Sequence, residues 1–93
     1  MKEQVKYMKL NEDFIIHNTG DETLLVPTSK ASFHGLVQAN ESVDTILHCL
    51  TKDTTEDEIV SEMLKKYDAD EQIIREDVRD VIDKLRKIGA INE

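Results

Sequence analysis

The hydrophobic period of this chain changes once, near residue 40, and that change constrains its fold more than any other feature. Before it, apolar residues come in short β-branched or aromatic runs separated by turn residues. After it, they recur every three or four positions. Phe14-Ile15-Ile16-His17 reads as a strand, and Asn18-Thr19-Gly20-Asp21 follows with turn chemistry, Gly20 supplying the positive φ of a tight hairpin. Thr23-Leu24-Leu25-Val26 is a second strand, stopped by Pro27, which cannot donate to a ladder. Beyond the polar stretch 28–32, Gly35-Leu36-Val37-Gln38-Ala39 is a third.

Three helices are expected in the remainder. The first has Asn40 as N-cap and Val43, Ile46, Leu47 and Leu50 on one face. The second opens on Thr55-Glu56-Asp57-Glu58, a capping box in which Thr55 and Glu58 satisfy each other's backbone donors. Its apolar stripe is Ile59, Val60, Met63, Leu64 and Tyr67. The third starts near Asp70, carries Ile74, Val78, Val81, Leu85 and Ile88, and ends at Gly89, suited to a left-handed C′ position. The order βββααα excludes a doubly wound parallel sheet and predicts an α+β domain: a three-stranded antiparallel sheet followed by three helices. Leu47, Leu64, Val78 and Leu85 are expected to be fully buried. Ninety-three residues suit one domain, 1–93, with residues 1–7 a candidate flexible tail.

Charge and cysteine content narrow the function classes. Twenty acids against twelve bases give a net charge of −8, which argues against nucleic-acid or anionic-membrane binding through bulk charge. The single thiol, Cys49, allows no intrachain disulfide. No apolar stretch is long enough to span a bilayer, and the lysine-bearing start lacks the apolar core of a signal peptide, so a cytoplasmic protein is expected.

No catalytic or metal constellation emerges. His17, His34 and His48 lie in different elements, without HxxxH, HExxH or CxxC spacing. His48 and Cys49 are adjacent on a helix and point about 100° apart. Cys49 reads as a small core-edge hydrophobe. Glu41-Ser42-Val43 is similar to the serine site of acyl carrier proteins, but those place a long helix before the serine, and here strands precede it. No cofactor and no enzymatic activity are expected.

The third helix holds the sharpest pattern. At 100° per residue from Ile74, the stripe Ile74, Val78, Val81, Leu85 and Ile88 spans about 80°, with Ile82 at its edge. Arg75, Arg79 and Arg86, all the arginines of the chain, lie beyond Ile82 on that side. Either they pair with Glu71 and neighbouring acids, or they line a groove for a carboxylate-bearing ligand, whose geometry suits the guanidinium fork.

Taken in order, these segments resemble one family. Asp13-Phe14-Ile15-Ile16, Thr23 to Pro27, and the passage from Gly35-Leu36-Val37-Gln38-Ala39 through Asn40 into Val43-Asp44-Thr45-Ile46-Leu47 are similar to the first half of PqqD-like proteins. Glu58-Ile59-Val60, Leu64-Lys65-Lys66-Tyr67-Asp68 and Val78 through Gly89-Ala90-Ile91 resemble its closing helices. The resemblance covers about residues 8–93. It implies a small winged-helix-like peptide-recognition module, the RiPP recognition element, whose partners are the leader segment of a ribosomally made precursor peptide and a modifying enzyme, often a radical S-adenosylmethionine protein. In that family the leader adds as a strand beside the third strand and lies against the third helix. By position this implies contacts with Leu36, Val37, Gln38 and Ala39, and with Arg75, Arg79, Ile82 and Arg86. The rival from another class is a winged-helix DNA-binding transcriptional regulator. Residues 68–93 oppose it, with eight acids to five bases where a DNA reader needs an excess of bases.

Overall fold

A computed structural model of the chain describes residues 7–31 and 33–92. Of the candidate tail, residues 1–6 therefore lie outside the described residues, and Tyr7 is exposed. The elements run β1 (Lys9–Leu10), β2 (Phe14–Asn18), β3 (Thr23–Pro27), β4 (Val37–Ala39), α1 (Glu41–Cys49), α2 (Glu56–Lys66), α3 (Glu71–Lys87) and β5 (Ile91–Asn92). The expected three-stranded antiparallel sheet is present, in the order β2-β3-β4. A two-residue loop closes β2 onto β3. Thr19 N–H donates to Glu22 C=O at 2.9 Å, and Gly20, at φ +96°, takes up the left-handed region between them, where a side chain would be strained.

The hydrogen-bond phase of the sheet follows from its two ends. Bonded pairs alternate along an antiparallel ladder. Thr19 bonds Glu22, and Thr28 N–H donates to Asp13 C=O at 2.7 Å. Between them, Ile15 bonds Val26 and His17 bonds Leu24, in the observed register. Thr23 and Leu25 therefore turn their backbone groups the other way, toward Ala39 and Val37 of β4. The third strand begins two residues later than its sequence suggests. Continuing the register sets Pro27 opposite Gly35, where the proline has no N–H to offer.

Local signals set the helix ends. The Asn40 side chain accepts from Val43 N–H at 2.9 Å, and Asp70 from Gln72 N–H at 2.9 Å. Thr55 Oγ1 accepts from Glu58 N–H at 3.1 Å. The return half of the expected capping box is absent: the Glu58 carboxylate accepts from Thr54 Oγ1 instead, at 3.1 Å. Helix α3 ends in a Schellman motif, with Gly89 at φ +78° and Ala90 N–H donating to Leu85 C=O.

The core is aliphatic, centred on Leu25, Ile46, Leu47, Leu50, Ile59 and Val78, all without exposed surface. Leu47, Val78 and Leu85 are buried as expected, whereas Leu64 is only partly so. The α3 stripe is also rotated from its expected centre. Ile82 is 3% exposed and belongs to the core, while Val81 and Ile88 are partly buried. Packing against α2, the helix that α3 contacts most, turns that flank inward.

Strands β1 and β5 were not legible in the sequence, because two-residue strands have no period to detect. They pair Lys9 with Asn92 and Leu10 with Ile91. Next to them, Met8 exchanges two backbone bonds with Thr54, at 2.7 and 2.9 Å. Leu10 N–H donates to Leu50 C=O and Asn11 N–H to Ala90 C=O. This segment ties the α1–α2 turn to the end of the chain, and the Met8 side chain, 4% exposed, plugs the junction. Met8→Ala is expected to cost about 2–4 kcal/mol, measured as a lowered urea midpoint with an unchanged slope.

Candidate functional site

β4 is an edge strand: β3 flanks it on one side, and no strand flanks it on the other among the described residues. The ladder phase decides what that edge offers. Val37 and Ala39 turn their N–H and C=O groups to β3 and their side chains to the core, Ala39 being 6% exposed. Leu36 and Gln38, of opposite parity, face the open edge with their backbone groups and the outer side of the sheet with their side chains. Leu36 is 63% exposed. Gln38 Nε2 donates to Glu22 Oε2 at 2.6 Å, which orients its amide along the surface. None of residues 36–39 is charged or proline, so the edge lacks the usual guards against strand addition.

The approach to this edge is shaped by Phe33. A Cβ on Gly35 would lie 2.8 Å from the Phe33 ring, so the ring occupies the space a side chain would need. Beside it, Val26, Pro27, Phe33 and Leu36 border a shallow hollow of about 350 Å³. Thr28, Ser29, His34 and Gly35 complete its lining, so its apolar side could take a hydrophobic side chain of an added strand.

The arginines lie elsewhere. Arg75 Nη1 sits 2.9 Å from Glu56 Oε2 and 2.8 Å from Asp57 Oδ1, with its other terminal nitrogen 3.5 Å from Glu71. Arg79 Nε donates to Glu56 Oε1 at 2.8 Å. Together they clamp α3 to the first turn of α2. Arg86 pairs with Asp83 at 3.1 Å and approaches the Met8 sulfur at 4.0 Å. Thus the pairing alternative describes the arginines' contacts here, through acids of α2 as well as Glu71. Ile82, expected at the edge of the stripe and as a leader contact, is in the core. The opposite flank of α3 carries the accessible apolar surface: Ile73 is 55% exposed, and Val81 and Ile88 are partly buried. Ile73 lies about 100° from Ile74 and about 60° beyond Ile88 on the wheel, and its apolar side chain continuing the stripe on the flank away from the arginines is the sequence signal for this surface.

The clamp predicts a pH dependence. The Arg79 hydrogen bond, joined by a lesser one from Arg75, holds the Glu56 carboxyl below its ordinary range against the opposing effect of burial. A carboxyl depressed in the folded state stabilises fully above its unfolded pKa, and that stabilisation is lost as pH falls through the folded value. Glu56→Gln is therefore expected to flatten the loss of stability below about pH 4.5, read from urea midpoints across an acid series.

A groove of about 600 Å³ between α1 and α2 is lined by His48, Cys49, Lys52 and Lys66, among others. Burial pushes the Cys49 thiol above its ordinary pKa, and Glu62 adds to the rise, which disfavours the nucleophilic thiolate. His48 Nδ1 is 3.1 Å from Asp44 Oδ1 and exposed. No group of three His, Cys, Asp or Glu residues that could hold a metal occurs among the described residues. Nor is any described helix long and apolar enough to cross a membrane.

Residues 22–91 match the family described as coenzyme PQQ synthesis protein D (PqqD). No curated protein matches the chain in sequence. Two solved structures share its fold. TbiB1 in complex with the TbiA(beta) leader peptide superposes with a TM-score of 0.78 at 18% identity, covering 90% of this chain and 94% of that one. Lasso peptide synthetase B1 complexed with the leader peptide superposes with a TM-score of 0.76 at 13% identity, covering 92% and 98%.

Proposed function

The chain belongs to the coenzyme PQQ synthesis protein D family, and on that premise we propose that it binds the leader segment of a ribosomally made precursor peptide by strand addition and presents it to a modifying enzyme. The observation that carries this reading is the uncharged open edge of β4, with the backbone groups of Leu36 and Gln38 facing outward. Both structural neighbours were solved with leader peptides bound, which supports the same use of the fold here. Strand addition supplies backbone hydrogen bonds largely indifferent to sequence, and side-chain pockets read the peptide. The hollow beside Phe33 would take an apolar residue of the leader. Where the leader meets α3, the accessible partners are Ile73 and Val81 rather than the clamped Arg75 and Arg79. Holding the leader raises the effective concentration of the attached core peptide at the enzyme. The chain itself acts as an adaptor, without a cofactor.

The rival reading, a winged-helix DNA-binding regulator, lacks a basic surface. Helix α3 carries five acids and five bases, and Arg75 and Arg79 are bonded to α2. Calorimetric titration with the leader of the precursor peptide encoded beside this chain is expected to show saturable one-to-one binding. A parallel titration with duplex DNA at physiological salt is expected to show none. The reverse pattern would establish the regulator.

A further inference from the structure

We infer that the outer face of the β2-β3-β4 sheet is the docking surface for the enzyme that modifies the bound precursor. This rests on the leader-binding reading above and adds to it a second contact surface on the same domain. Alternation along the strands places Ile15, His17, Leu24, Val26 and Gln38 on that face, with Leu36 just before β4. Ile15 pairs with Val26, and continuing the register sets Val26 beside Leu36. The face thus carries an apolar row across all three strands, with a His17–Leu24–Gln38 row beside it. Ile15 is 54% and Leu36 63% exposed. In a chain that is 34% charged, none of these six positions holds an acid, a lysine or an arginine. The result is an exposed apolar row bordered by His17 and by Gln38, whose amide is bonded to Glu22, a small patch of the kind a partner can cover.

Three observations select the occupant. The face shares β4 with the leader edge, so whatever covers it stands beside the bound peptide. Its size, from three strands of up to five residues, is about 14 Å by 17 Å, or roughly 240 Å². That is well short of the ~800 Å² each partner contributes to a stable interface, so it does not hold a second copy, which a charge of −8 would also repel. A patch this small suffices for a partner held by a second tether. The precursor, with its leader on β4 and its core in the enzyme's active site, is that tether. Exposed acids at the margin (Glu12, Asp21 and Glu22) favour an enzyme surface that is apolar at its centre and basic at its rim.

Ile15 lies on β2, the strand farthest from the leader edge, and provides the test. Ile15→Glu is assayed with the purified modifying enzyme and precursor encoded beside this chain. The initial modification rate is expected to fall tenfold or more at low enzyme concentration and to recover as enzyme is raised. Leader affinity by calorimetry should stay within twofold of the unsubstituted protein. Ile15→Thr keeps strand propensity and is expected to show a smaller loss in the same direction, which preserves the test should the glutamate variant fold poorly. An unchanged rate in these variants, with leader binding intact, overturns the inference. So does sedimentation showing a dimer of the unsubstituted chain that Ile15→Glu dissolves, since a second copy would then be the occupant. Failure of the unsubstituted chain to bind the leader at all would instead remove the reading beneath it.

Discussion

Gln38→Pro is expected to weaken leader binding by roughly tenfold or more while the domain keeps its stability, and Val37→Pro to destabilise the domain while deleting no leader contact directly. The two residues are adjacent, and their opposite outcomes follow from ladder phase. Gln38 N–H points to the open edge, so proline there removes a donor that only an added strand uses. Loss of one such bond, together with the ring's obstruction of the incoming strand, is worth about 1.5 kcal/mol or more, which corresponds to the tenfold change. Val37 N–H points to Leu25, which has no exposed surface. Proline there leaves a buried carbonyl unpaired, at about 1–3 kcal/mol, and displaces the strand that covers the core. Calorimetry with the leader, paired with urea denaturation of each variant, separates the two. Equal leader affinity in Gln38→Pro and the unsubstituted chain would return the β4 edge to a purely structural role.

Ile82→Ala is expected to cost about 2–4 kcal/mol of stability, out of a total of roughly 5–14 kcal/mol for a domain of this size. Leader affinity of the folded protein should change less than twofold. The side chain is 3% exposed within the α3 face buried with Ile74, Val78 and Leu85, so truncation leaves a cavity rather than an emptied binding pocket. The measurement is a urea midpoint alongside a leader titration under strongly native conditions. A large loss of affinity without a loss of stability would place Ile82 at the peptide surface after all.

Helical periodicity located α3 but not its orientation. A wheel drawn on α3 centres the stripe from the spacing of its apolar residues and treats Ile82 as its margin. In the folded domain α2 packs against that margin, and Glu56 and Asp57 draw Arg75 and Arg79 toward it. Those acids lie 18 to 23 residues away in the chain, beyond the reach of any i,i+4 rule. The i,i+4 partner visible in the sequence, Glu71, is present but is the longest of the three Arg75 contacts. The arginine flank was therefore legible as a cluster, and its bonding to α2 was not.

The sequence by itself determined the features whose causes lie within four residues: the Gly20 turn, the Asn40, Thr55 and Asp70 caps, the Gly89 helix end, and the order of the three sheet strands β2 to β4 and the three helices. Each is a local bond or a local steric permission, so composition and spacing suffice. Only the tertiary structure decided which of residues 36 to 39 face the open edge, which flank of α3 is free, and that Lys9 through Asn11 bind the far end of the chain. Ladder phase is set by the partner strand, helix rotation by the neighbouring helix, and the β1–β5 pairing by contacts about eighty residues apart. These depend on which surfaces meet, and a linear pattern carries no record of that.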